Sequence, residues 1–145
     1  MKIAEIIRND LSKREDLNCA ESVLRAANDD LGLGLDRKAL RLASGFGGGM
    51  GVGHACGALT GAVMVLGVLY VKERAHESTR IKDVEQKLIA AFEKEYGTIM
   101  CRPIKDAHSD PEYKCKSVIL KSAELLEDLL RSDPPDAGLK PAAGG

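Results

Sequence analysis

Four cysteines are the residues of this chain best suited to chemistry: Cys19, Cys56, Cys101 and Cys115. Thiolates attack disulfides and bind soft metals, and the N-terminus of a helix stabilises their negative charge. No two of them form a Cys-x-x-Cys pair, so the spacing does not indicate a zinc ribbon, a thioredoxin-type pair or a c-type haem site. Each cysteine alone is explained as well by a small buried apolar residue. Only their joint placement favours redox thiols or metal ligands.

A glycine-rich run and the apolar stretch after it must position these thiols. Seven of the residues from 45 to 57 are glycine. Because glycine costs about 1 kcal/mol relative to alanine inside a helix, this run is predicted to be a loop. The sequence then predicts a long helix from about Ala55 to Val71, with Cys56 in its first turn. The positive end of the helix dipole would favour a thiolate or an anionic ligand there.

The helix predicted over 55–71 is apolar on every side, which is typical of a helix buried in a core or in a membrane. Its uncharged stretch reaches the lower limit of about 17 residues for a membrane span, and Gly57 and Gly61 match a small-residue packing pattern. Amphipathic neighbours favour a buried central helix whose small residues admit another backbone or a second copy of the chain. The alternative is a non-enzymatic, membrane-linked or transporter-associated accessory protein with structural or zinc-binding cysteines.

Amphipathic patterns predict the other helices. Apolar residues recur at helical spacing over 2–14 and again after Ser78 or Thr79 up to Gly97. Asn18, followed three residues later by Glu21, predicts a capping box that makes Cys19 the first residue of its helix.

Start and stop signals place the remaining elements. Asp36 is predicted to cap a helix over 37–44. Cys101 is predicted to lie in a loop, with Pro103 as a helix breaker, and Asp110 with Pro111 to start the last helix, about one turn before Cys115. The expected fold is therefore all-α: a single bundle of about five or six helices around the central apolar helix.

Composition indicates how the domain is organised and which kinds of partner are expected. The predicted domain covers residues 1–132, and the Pro-, Gly- and Ala-rich residues 133–145 are predicted to be a disordered tail. The net charge is −1, and no basic stripe alternates with aromatic residues, so a nucleic-acid interface is not expected. Charges at the N-terminus, where a signal peptide needs apolar residues, favour a cytoplasmic location.

Several of these segments together resemble a known family. They are Asn18-Cys19-Ala20-Glu21, the glycine run 45–53, Cys56-Gly57-Ala58-Leu59-Thr60-Gly61, Tyr96-Gly97 ahead of Cys101, and Cys115. They resemble the C-GCAxxG-C-C family of redox-active proteins over about residues 18–130. One position differs, since Ala55 precedes Cys56 where the family name has glycine.

The resemblance implies a small helical protein whose four motif cysteines act in redox chemistry with an unidentified partner protein. Two mechanisms fit. The four thiolates hold an iron–sulfur cluster for electron transfer, with Gly57 beside it, or they form reversible disulfides such as Cys19 with Cys56 or Cys101 with Cys115. Zinc bound by the same thiolates is a third option. In each case the catalytic, cofactor-binding or metal-binding residues are these four cysteines.

Overall fold

The computed structural model describes residues 1–136, and this part of the chain is all-α, with no β-strand. This confirms the predicted fold class, although eight α-helices form instead of about five or six. They are α1 (Ile3–Arg8), α2 (Leu11–Arg14), α3 (Cys19–Leu31), α4 (Arg37–Leu40), α5 (Gly57–Tyr70), α6 (Ile81–Tyr96), α7 (Cys101–His108) and α8 (Lys116–Ser132).

Two predicted segments break, and one of these breaks adds a helix. The segment 2–14 divides into α1 and α2, because Asp10 adopts a left-handed conformation with φ of 63°. Its apolar face is nevertheless continuous, and Ile3, Ile7 and Leu11 are all buried. In the segment 37–44, Asp36 caps α4 as predicted, but the chain tightens into a 3-10 turn at Arg41–Phe46.

Two predictions near the later cysteines are wrong. Cys101 begins α7 instead of lying in a loop, and Pro103 fits because its missing N–H falls in the first turn, where no intrahelical partner exists. Asp110 and Lys114 close a tight turn through reciprocal backbone hydrogen bonds, so α8 begins only at Lys116. Cys115 is therefore the N-cap residue of α8 and does not lie one turn inside it.

Helix α5 packs against α3, α6 and α8. It crosses α3 very closely, because a Cβ atom added to Gly61 would lie 2.6 Å from the carbonyl oxygen of Ala20 and 3.0 Å from its Cα. The predicted close approach at the small residues of α5 is thus made by α3 of the same chain. Association of two copies through this face stays a prediction.

The C-terminal end of the described chain contacts the end of α5 and the start of α6. The Arg80 guanidinium forms an ion pair with Asp133, and the Tyr70 hydroxyl donates a 2.5 Å hydrogen bond to the Asp133 carbonyl. Most of the predicted tail, residues 137–145, lies outside the described residues. Within residues 1–136, the helices are too short or too polar to cross a membrane.

Candidate functional site

The position of Cys19 is fixed by the predicted capping box. The Asn18 side chain accepts a 2.9 Å hydrogen bond from the Glu21 N–H, and the Glu21 carboxylate accepts a 3.0 Å bond from the Asn18 N–H. The Asn18 amide also donates to the Ser44 carbonyl at 2.9 Å. The first turn of α3 is therefore stabilised by its own capping box. It is also hydrogen-bonded to the segment that leads into the glycine run.

Cys56 and Cys101 are brought together by a short antiparallel backbone pairing. Ala55 lies opposite Met100. The Cys56 N–H donates to the Ile99 carbonyl at 2.7 Å, and the Cys101 N–H donates to the His54 carbonyl at 2.5 Å. The beginnings of α5 and α7 thus lie side by side. Sequence reasoning missed this pairing because a single bridge leaves no alternating strand pattern.

The glycines near the thiols give space to the cysteine side chains. A Cβ atom added to Gly49, where φ is 62°, would lie 2.7 Å from the Cys101 Cβ. One added to Gly57 would overlap the Cys19 sulfur and lie 2.8 Å from the Phe46 carbonyl oxygen. The Cys19 sulfur therefore lies against Gly57, directly beside Cys56 in the chain.

Three of the four cysteines share one cavity. Cys19, Cys101 and Cys115 line a cavity of about 500 Å³, together with residues of α1, α2, α7 and the Asp110–Lys114 turn. Cys56 does not line it and is only 5% exposed. All four are free thiols, with Cys19 and Cys115 half-buried. An incoming molecule would therefore meet the other thiols before Cys56.

Burial controls the ionisation of three of these thiols. It raises the pKa of Cys56 to about 12, even though the N–H groups of Ala58 and Leu59 favour its thiolate. Burial likewise raises the pKa of Cys101 and of Cys115, and a charge on Cys19 would raise all three further. The expectation that helix N-termini lower these pKa values is therefore wrong, because desolvation outweighs the helix dipole.

Two further residues near the thiols were not singled out from the sequence as functional. Lys105 lies one helical turn after Cys101, and its charge lowers the pKa of both Cys101 and Cys115 against the effect of burial. The i, i+4 spacing on α7 would have found it, had that helix been predicted.

The second is Tyr96. Burial raises its pKa to about 12, and charges on Glu95, Cys56 and Cys115 act in the same direction. Its ring lies 4.9 Å from Phe92 and meets that of His108 edge-on at 5.1 Å. Tyr96 is therefore packed among aromatic rings and lies near enough to Cys56 and Cys115 for their charges to act on it.

The four thiols are suitable metal ligands by type, but their positions do not form a metal site. Four thiols are the donors that zinc and iron–sulfur clusters use. As the side chains stand in residues 1–136, no three His, Cys, Asp or Glu side chains are placed to hold a metal ion. Binding one would therefore require the thiols to move from these positions.

Comparison with known proteins identifies a match over most of the chain. The family model described as "Putative redox-active protein (C_GCAxxG_C_C)" matches residues 17–129. The match includes all four cysteines and confirms the resemblance inferred from the motifs. Neither the curated proteins nor the solved structures contain a match to this chain.

Proposed function

This chain belongs to the C_GCAxxG_C_C family, and we propose that its redox chemistry is thiol–disulfide exchange. The observation that carries the proposal is the gathering of cysteines from separate helix starts around one cavity. Cys19, Cys101 and Cys115 line that cavity, and Cys56 is buried out of direct reach.

Accessibility supports different roles for Cys19 and Cys56 in this exchange. Cys19 is half-buried, lines the cavity and is a near neighbour of the other three thiols, so it suits the attacking sulfur. Cys56 follows as the resolving sulfur, because it is buried and the Cys19 sulfur lies against Gly57 beside it.

The exchange balances in two steps. The Cys19 thiolate attacks one sulfur of a substrate disulfide, forming a mixed disulfide and releasing the first substrate thiol. The Cys56 thiol then gives up its proton and attacks the Cys19 sulfur, forming the Cys19–Cys56 disulfide and releasing the second. Two protein thiols are oxidised, one substrate disulfide is reduced, and the protein's two protons pass to the two leaving thiolates.

The apolar surroundings suit both redox states. A pair of protonated thiols and a disulfide are each uncharged, whereas a buried unpaired thiolate carries a large desolvation cost. The raised pKa values of Cys56, Cys101 and Cys115 keep these three thiols neutral at physiological pH.

Redox titration tests this proposal. Reduced protein is equilibrated with defined ratios of oxidised to reduced dithiothreitol, and disulfides are located by peptide mapping without reduction. We expect a reversible Cys19–Cys56 disulfide that is lost in Cys19→Ser and in Cys56→Ser. Cys115→Ser is the matched control that retains it. Four thiols that stay unpaired throughout the titration would overturn the proposal.

An iron–sulfur cluster is the second candidate, because the donor set of four thiols favours it. Anaerobically purified protein distinguishes it. A brown protein with sulfur-to-iron charge-transfer bands, and with iron and sulfide lost in each Cys→Ser variant, would replace disulfide exchange by electron transfer. Stoichiometric zinc in a colourless protein would replace both by a structural site.

A further inference from the structure

The cavity beside the thiols has the size of a small-molecule site. Its volume of about 500 Å³ lies within the range of about 300–1,000 Å³ typical of ligand pockets. Apolar surface comes from Ile7, Leu17 and Ile119, and Tyr113, which is 47% exposed, also lines the cavity.

One cationic side chain at this cavity has no ion-pair partner in residues 1–136 and lies close to the thiols. Lys105 is exposed, lines the cavity and forms no ion pair with any group in residues 1–136. Lys116, by contrast, is paired with Asp10, and its ammonium lies 5.3 Å from the centre of the Tyr113 ring.

The other charged side chains around the cavity nearly cancel. Lys13 and Lys114 oppose Asp16 and Glu112, and none of the four belongs to an ion pair within the described chain. Lys105 therefore leaves a net positive charge at the cavity. This charge lowers the pKa of Cys101 and of Cys115, two of the thiols that line the cavity.

We propose that this cavity binds a low-molecular-weight disulfide bearing a carboxylate, with Lys105 binding the carboxylate while the disulfide lies over the cavity's thiols. The inference rests on the proposed thiol exchange and names its substrate class. Attack on the bound disulfide releases one small thiol, and closure of the protein disulfide releases the second. The small disulfide gains the two electrons that the protein dithiol loses.

Three disulfides of different charge test the inference. Reduced protein is mixed with oxidised glutathione (anionic), hydroxyethyl disulfide (neutral) or cystamine (cationic), and thiol loss is followed by quenched mass spectrometry. Lys105→Gln is compared with Lys82→Gln, an exposed lysine on α6 that does not line the cavity. Losing Lys105 also changes the pKa of Cys101 and of Cys115, which would affect the rates with all three disulfides alike. The readout is therefore the ratio of the oxidised glutathione rate to the hydroxyethyl disulfide rate.

We expect Lys105→Gln to lower that ratio by about two- to fivefold, as for the loss of one partly exposed charge pair. The ratio of the cystamine rate to the hydroxyethyl disulfide rate should rise, and Lys82→Gln should change neither. A glutathione ratio unaffected by Lys105→Gln would overturn the inference and leave thiol exchange standing. If none of the three disulfides oxidises the protein, the proposed exchange itself fails, and the inference with it.

Discussion

At the scale of single residues, Cys56 shows which of two opposing effects determines its ionisation. It lies at the N-cap of α5, where N–H groups favour the thiolate, yet its pKa is about 12. A helix end contributes about 0.3–1 kcal/mol, up to about 2. Burial of an unpaired charge costs more than this, so desolvation prevails and Cys56 stays protonated.

This ionisation predicts how stability depends on alkaline pH. The pKa of Cys56 in the folded chain is raised above the ordinary value of 9.0. The fold favours the protonated thiol, so its contribution to stability is fully present below about pH 9. That contribution is lost as the pH rises toward about 12. Denaturant titrations with reductant present should show the free energy of unfolding falling by up to about 1.4 kcal/mol per pH unit for this thiol alone.

Cys56→Ser supplies the comparison, because serine does not titrate in this range. The variant should show a shallower fall between pH 9 and 10, whatever its stability at neutral pH. The measurement stays below pH 10 because Tyr70 and Tyr96, whose pKa values burial raises to about 12, contribute above their ordinary value. Equal slopes in the two proteins would contradict the burial argument.

At the scale of elements, the crossing of α3 over α5 sets the distance between Cys19 and Cys56. Gly61 allows that crossing, whereas Gly67, six residues later on α5, has no atom within 4 Å of an added Cβ. Gly61→Ala must push α3 away from α5, because the Ala20 backbone cannot yield. Gly67→Ala removes only the entropic cost of glycine in a helix.

We therefore expect opposite effects from the same substitution on one helix. Gly61→Ala should destabilise the protein by about 1–3 kcal/mol and slow formation of the Cys19–Cys56 disulfide. Gly67→Ala should be neutral or stabilise by up to about 1 kcal/mol. Thermal unfolding with disulfide mapping measures both, and similar stabilities for the two variants would show that α3 and α5 do not depend on this contact.

Local signals predicted the elements that are defined by local chemistry. Asn18 with Glu21 gave the start of α3, and Gly97 adopts the left-handed conformation that ends α6. The contact that aligns Cys56 with Cys101 is a single backbone pairing between distant segments, Ala55 and Met100. No residue type indicates such a pairing, so the cavity and the position of Lys105 beside it could be found only from the fold.

At the scale of the whole molecule, the N-terminal helix closes one side of the thiol cavity. Ile3 and Ile7 of α1 are buried, and Ile7 lines the cavity. Glu127 of α8, only 5% exposed, accepts a 2.9 Å hydrogen bond from the Ala4 N–H at the positive end of α1. The buried Glu127 carboxylate of α8 thus fixes the start of α1.

Removing this carboxylate should loosen α1 and open the cavity. Glu127→Ala leaves the Ala4 N–H without its partner, which should cost about 1–3 kcal/mol of unfolding free energy. Hydrogen exchange should quicken at the amides of α1. Alkylation of Cys19 and Cys115 should quicken as well, because Ile7 no longer covers the cavity.

The adjacent residue provides the control for this last effect. Glu127 and Asp128 both pair with Arg131, at 3.5 Å and 3.3 Å, but Asp128 is exposed and does not contact α1 through a hydrogen bond within residues 1–136. Asp128→Ala should therefore change stability by less than about 1 kcal/mol and leave both rates unchanged. If Asp128→Ala and Glu127→Ala raise alkylation equally, the surface charge of α8 governs access to the thiols. If only Glu127→Ala does so, the docking of α1 controls how far the thiols are exposed.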